Sequence, residues 1–300
     1  MIKNTSPALA LTLTLALALA LAALAPASTA LAQEVPHSDG STADADQEEA
    51  DSDSLDRRPD PVQPDYTVVN LPTSLRLPRF GSAFRVTHRF SRPLGEGDFG
   101  DLVSDLFGLD AAAQIGLEYR FGLWRGLQVG LHRTNNEKTI EFFGTYDLLP
   151  ERGGRPFGLA LHASVDGTNN FRDSYSPALG VIVSRKFSRY GVLYVEPIWV
   201  NNTNPQPSEL VDDNDTFMIG IGGRLRIRPS VYVTGEITPR VAGYDPGAHA
   251  GSFAIEKRVG GHVFQLNFSN TLATTMGQLA RGGVSSDTWY LGFNITRKFF

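Results

Sequence analysis

Arg224, Arg226 and Arg228 alternate with Leu225 and Ile227, so an extended chain puts the three guanidinium groups on one face and the aliphatic chains on the other. Three cations in a row support two kinds of chemistry. They can form a constriction that favours anionic solutes, as charged rings do in channels. They can also pair with carboxylates in bidentate geometry and fill an interior with salt bridges, and this second reading is the stronger. Glu196 and Glu236, on flanking alternating runs, are the candidate partners. The same parity applied along the chain collects Arg85, Arg89, Glu118, Arg120, Glu141, Asp147, Glu196, Arg224, Arg226, Arg228, Glu236, Arg240, Glu256 and Arg258 on polar faces.

Other chemistries find less support. His132 and His162 share the polar parity and read as hydrogen-bonded residues rather than metal ligands, while His88 shares the apolar parity of Phe84, Val86 and Phe90. A lipid-facing hydrolase such as a phospholipase would need a nucleophile and an orienting polar group beside His88, and none is evident. Asp212, Asp213 and Asp215, with Asn214, offer oxygen ligands but lack the Gly and distal Glu of a calcium loop, so a solvated acidic loop is expected. The chain has no cysteine, which excludes disulfides, thiolate metal sites and cysteine nucleophiles. It also has no phosphate loop, no HExxH, no GxSxG and no basic, aromatic-interleaved surface for nucleic acid. The expectation is a protein that is not an enzyme, with no cofactor and no metal.

The elements that must hold these residues are strands. From about Ser82 onward apolar residues recur at every second position, as in Ile115, Leu117, Tyr119 and Phe121 against Gln114, Gly116, Glu118 and Arg120. Twelve such runs can be counted, with Phe143 as an exception on a polar face. Their connections alternate between long (residues 91–111, 201–215 and 270–287 among them) and short (122–126, 229–230 and 257–261 among them). A soluble sandwich has no reason to alternate in this way, whereas an up-and-down membrane barrel does. In lipid every backbone N–H and C=O must be satisfied without water, and strands achieve this only in a closed sheet. The fold class expected is therefore all-β: a transmembrane antiparallel up-and-down barrel of about twelve strands over residues 66–300. Residues 98–109 read as a short amphipathic helix that either folds inward as a constriction or lies on the rim.

Ahead of the barrel the sequence has a different character. Residues 1–32 combine Lys3, a Leu/Ala run from Ala8 to Ala25, Pro26 and the pattern Ala30-Leu31-Ala32, which is the order of a secretory signal peptide rather than of an uncleaved anchor. Residues 33–65 carry almost all of the excess acid. Between residues 34 and 65 eleven acids face only Arg57 and Arg58, a balance of −9, while residues 66–300 hold 24 bases against 21 acids. So polar a stretch reads as a disordered, solvated spacer; the alternative is an acidic arm that binds a partner or enters a basic lumen.

Two resemblances add to this. The segments Phe107-Gly108-Leu109-Asp110, Ile115-Gly116-Leu117-Glu118-Tyr119-Arg120, Val129-Gly130-Leu131-His132-Arg133-Thr134 and Lys138-Thr139-Ile140-Glu141, with the earlier His88-Arg89-Phe90, resemble a family of outer-membrane β-barrels classified only as a domain of unknown function. The resemblance covers roughly residues 70–300 and is most specific in the first four strands. It implies a barrel without an assigned substrate and carries over no functional residues. The ending Asn294-Ile295-Thr296-Arg297-Lys298-Phe299-Phe300 resembles the closing strand of outer-membrane proteins, whose terminal aromatic is read by the barrel-assembly machinery. Here the apolar parity of Leu291, Phe293 and Ile295 leads to Phe299 rather than Phe300, one residue out of the usual register. The expected partners are outer-membrane lipid and lipopolysaccharide of a Gram-negative bacterium, the assembly machinery and small solutes, and no nucleic acid. The expected function is a narrow passive channel for small solutes, anionic ones included. The alternative is a closed barrel acting as a structural or interaction scaffold.

Overall fold

The computed structural model describes residues 55–300 apart from 105, 109–111, 153–154, 207–209 and 211–212. The signal-peptide reading of residues 1–32, the acidic segment as far as residue 54, and parts of the Asp212 loop and of the 98–109 segment lie outside the described residues.

Thirteen strands form one sheet: β1 (Ser82–Pro93), β2 (Ala113–Trp124), β3 (Leu127–Thr134), β4 (Ile140–Leu149), β5 (Gly158–Gly167), β6 (Asp173–Phe187), β7 (Gly191–Val200), β8 (Thr216–Arg228), β9 (Val231–Thr238), β10 (Arg240–Gly243), β11 (Ala250–Val259), β12 (His262–Ser269) and β13 (Tyr290–Phe299). β9 and β10 are one stave broken at Pro239, which has no N–H to give to the ladder. β9 pairs with β8 and β11, and β10 with β8, so the barrel has twelve staves. It closes where β1 runs antiparallel to β13, from Ser82 opposite Phe299 to Arg89 opposite Gly292. Closure pairs the strands on both sides except for the short β10, which past Pro239 is paired with β8 alone.

The short connections and the ends of β1 and β13 share one end of the barrel, the turn end. Gly126 and Gly260 take positive φ in two of its turns, a conformation a side chain would oppose. The long connections lie at the opposite, loop end. Outward side chains form an apolar belt that includes Ile115, Leu117, Leu179, Leu193, Ile255 and Leu266, all exposed. Trp124, Phe187, Tyr190 and Phe299 border the belt at the turn end, and Tyr175 and Trp199 at the loop end. Among the described residues no helix is long and apolar enough to cross a membrane.

Two of the short helices in the described loops have different fates. Helix α1 (Phe99–Ser104) buries no side chain, and Phe99 is 73% exposed. Of the two places open to the 98–109 segment, the described part takes the rim. Helix α2 (Met276–Ala280), in the loop between β12 and β13, is buried along its whole length.

Candidate functional site in the lumen

The lumen is occupied. Residues 55–80 enter from the turn end and double back in a tight hairpin, with Thr67 bridged to Pro72 and Val68 N–H donating to Leu71 O at 2.8 Å. An isolated hairpin tip carries unsatisfied backbone groups, and here wall side chains satisfy them. The Glu236 carboxylate accepts from the backbone N–H of Val69 (2.9 Å), Asn70 (2.9 Å) and Leu71 (3.0 Å), and from the Asn70 side chain (2.9 Å). On the carbonyl side, Arg224 donates to Thr67 O (2.8 Å), Gln265 to Val68 O (2.7 Å), and Arg85 and Asn294 to Val69 O. Arg89, wholly buried, joins the Asn70 side chain (3.0 Å) to Asn294 (2.8 Å). β1, β8, β9, β12 and β13 thus all grip the same five residues, Thr67 to Leu71.

Below the tip the strap is held by its acids. Thr296 donates to Asp65 (2.8 Å), Lys186 pairs with Asp60 (2.7 Å), and Asp56 meets Arg76 and Arg152. The carboxylates of residues 55–65 therefore serve as ties to a body with surplus base. For these residues the solvated-spacer expectation is corrected, and the alternative, an acidic arm entering a basic lumen, describes them. Tyr66 sits between Lys298 Nζ and the Arg120 guanidinium, 4.7 and 5.7 Å from its ring centre. Burial, with Asp65 adding to it, holds its phenol well above the usual value, so it stays neutral.

The second insert comes from the loop end. Thr275 caps α2 by accepting from Gln278 N–H at 3.4 Å and donates to Asp166 (2.5 Å). Glu141 accepts from Met276 N–H at 2.9 Å, and Gln278 donates to Thr139 at 3.1 Å. Glu141 and Asp166 stand opposite each other on β4 and β5. Carboxylates at a helix start suit its free N–H groups.

Apolar packing joins the two inserts. Val62, Val68 and Leu71 of the strap and Ala273, Met276, Leu279 and Ala280 of the loop share one buried cluster with Ile182, Val192, Ile198, Val200 and Met218 of β6, β7 and β8. The wall thus has a polar sector, which grips backbone, and an apolar sector, which packs side chains. Gly220 and Gly222 on β8 make room for the strap: a Cβ at either would lie 2.8 Å from Leu71 Cδ2 or 3.1 Å from Val68 Cγ2.

Most of the charges assigned to the interior do point inward, but their pairing differs from expectation. Arg224 is bidentate with Glu256 (2.6 and 2.9 Å), on β11, and not with Glu196 or Glu236. The reason is that Glu236 is taken by the hairpin, while both Glu196 oxygens are buried with no hydrogen-bond partner among the described residues. The arginine ladder does not persist as one. Arg226 is half-buried and donates to Pro229 O, and Arg228, beyond a register shift at the turn, is exposed rather than lumen-lining. Arg85 and Arg120 share Glu118, Arg240 meets Asp245, Asp147 meets Arg76 (3.3 Å), and Arg258 reaches Asp60 O (3.4 Å). His162 hydrogen-bonds Thr145 (3.0 Å) and stacks on Phe143, which does face inward. His132 lies 3.7 Å from Glu141. His88 stacks between Phe293 and Phe90 on the outer face.

The inserts were missed in the sequence although signals existed. Ile182 between Val181 and Val183, and Ile198 and Val200 flanking Trp199, make β6 and β7 apolar on both faces, the pattern of strands covered on both sides. Ala273, Met276 and Ala280 stand at helical spacing inside a loop that should face water. Residues 66–81 hold Val68, Val69, Leu71 and Leu77 without belonging to any strand.

The chain has no match among curated proteins. Its solved structural neighbours include a NanC porin, at 10% identity over 73% of this chain and 99% of that one, with a TM-score of 0.49. A triple mutant of the Rhodopseudomonas blastica porin matches at 12% identity over 62% of this chain, with a TM-score of 0.33. The chain spans about half the length of the Rhodopseudomonas blastica porins it matches, 55% in each of the first two found. Residues 65–299 match the family model described as "Membrane bound beta barrel domain (DUF5777)". With the belt, the closed sheet and this match over most of its length, the chain belongs to that family of membrane-bound β-barrels.

Proposed function

We propose that the protein is an outer-membrane barrel of a Gram-negative bacterium that is closed at rest and works as a structural or interaction scaffold. One observation carries the reading: the lumen is filled from the turn end by residues 55–80 and from the loop end by α2, and both inserts are tied to wall carboxylates by backbone N–H groups. The apolar sector of the wall supports it further, since Ile182, Ile198 and Met218 suit a covering and not a water-filled pore. Export through residues 1–32 suits an outer-membrane destination, and Phe299 and Phe300, both exposed, suit recognition by assembly machinery. Lipid and lipopolysaccharide would contact the apolar belt. No catalytic role is proposed.

A second reading, a channel that opens when the strap leaves, is favoured by the strap's connection. Its chain runs on into the wall at the start of β1, where Phe80 N–H donates to Gly122 O, and none of the strands of the sheet lies within it, so it can withdraw and leave the strand pairs of the barrel in place. Anion preference has less support, because Glu256 neutralises Arg224 and Glu118 serves both Arg85 and Arg120. The test is single-channel recording of the purified protein in a planar bilayer. We expect no stepwise conductance in symmetric salt; regular steps from the unaltered protein would overturn the closed-barrel reading.

A further inference from the structure

At the turn-end mouth the strap and the wall enclose a recess of about 210 Å³. Its charged lining includes Arg58, Arg258 and Lys298, together with Arg76, Asp56 and Asp60. The two acids are already paired, Asp56 with Arg76 and Arg152, and Asp60 with Lys186 and with the N–H groups of Val62 and Gln63, each at 2.9 Å. Lys298 and Arg258 meet no carboxylate at ion-pair distance among the described residues; Lys298 lies over the Tyr66 ring, and Arg258 reaches only a backbone carbonyl. The Tyr66 hydroxyl, on a residue 2% exposed that lines the same recess, has no hydrogen-bond partner among the described residues. A buried hydroxyl left unpaired is unfavourable by about 1–3 kcal/mol, so a partner is expected there.

We propose that this recess binds a phosphate monoester. Lys298, Arg258 and the Tyr66 hydroxyl can all donate, which suits a ligand rich in acceptors, and two cations that meet no carboxylate suit a dianion better than a single carboxylate. Pro64, Leu75 and Val263 on the same lining suit the carbon portion of an ester. Since a water takes about 30 Å³, the recess has room for about seven, the size of a phosphate on a three-carbon unit. The inference does not depend on whether the barrel ever conducts.

The test is isothermal titration of the purified protein, in detergent with glycerol 3-phosphate and in nanodiscs with and without phosphatidic acid, whose headgroup is a phosphate monoester, repeated with Lys298→Gln and Tyr66→Phe. Saturable binding of glycerol 3-phosphate, weakened about tenfold by each substitution, supports a soluble ester as the ligand. Saturable binding of phosphatidic acid alone, with the same sensitivity, supports the site with a lipid headgroup as the source. Tyr66→Phe removes one oxygen and keeps the ring, so it guards against misfolding as the cause of lost binding. Absence of binding to both probes, or binding that neither substitution alters, overturns the proposal.

Discussion

Glu236 and Glu196 are both inward glutamates on strands that flank β8, yet the structure gives them opposite energetic roles. Glu236 accepts three backbone N–H bonds and an amide bond from the hairpin tip, whereas Glu196 is fully buried with neither oxygen paired. Hydrogen bonds to a charged group contribute about 1.5–3 kcal/mol each, and an unpaired buried acid is a liability. We expect Glu236→Gln to destabilise the protein by about 2–4 kcal/mol in urea unfolding from detergent, because the amide turns a donor toward backbone donors. Glu196→Gln, which removes a buried acid without breaking any bond, should leave stability unchanged or raise it. Equal losses in the two variants would show that the hairpin is not anchored at Glu236. Which glutamate is the anchor was not legible in the sequence, since both obey the same parity. The distinction depends on a strap about 166 residues away along the chain.

At the scale of elements, the strands and their connections were legible because lipid and backbone chemistry leave few alternatives. Every run of alternating residues became a stave, and the longest connections fell at one end, although the β4–β5 connection at the turn end is longer than the β3–β4 and β5–β6 connections at the loop end. What alternation could not convey is the content of the barrel. Inward Arg and Glu residues suit a wet lumen and a packed one equally, and the deciding residues, Ile182, Ile198 and Met218, are apolar residues on the face assigned to water. Gly220 and Gly222 on β8 record the strap's passage in the form of missing side chains. Gly222→Leu fills the space of Val68 while adding only apolar bulk to the wall, so the hairpin should be expelled and the sheet kept. The measurement is limited trypsin digestion in detergent followed by mass determination. Cleavage after Arg76, whose side chain is 9% exposed, should appear in the variant and be absent from the parent. A strap equally resistant in both would mean that the wall yields there, and the close fit at β8 would not matter.

The whole molecule is a barrel whose two inserts support each other through one apolar cluster, and this predicts how it responds to losing one of them. Removing residues 55–80 withdraws Val62, Val68 and Leu71 from that cluster and leaves Arg85, Arg89, Arg224 and Glu236 facing water along the polar sector. Those charged groups recover solvent, so the polar sector loses little. The apolar sector loses on the order of 5 kcal/mol, at about 1.5–3 kcal/mol for each large aliphatic side chain no longer covered. All strand pairing lies outside the deleted segment, because β1 begins at Ser82 and closes on β13. The shortened chain should therefore still form a barrel, seen as a shifted band on unheated gels, but it should unfold at a lower temperature. α2 remains in the apolar half of the lumen, held by Glu141 and Asp166, so any path that opens must run along the polar sector beside β9, β12, β13 and β1. Small conductance steps from the shortened chain, absent from the full one, would make the strap a gate. Silence from a folded shortened barrel would assign closure to α2 and leave the scaffold reading standing alone.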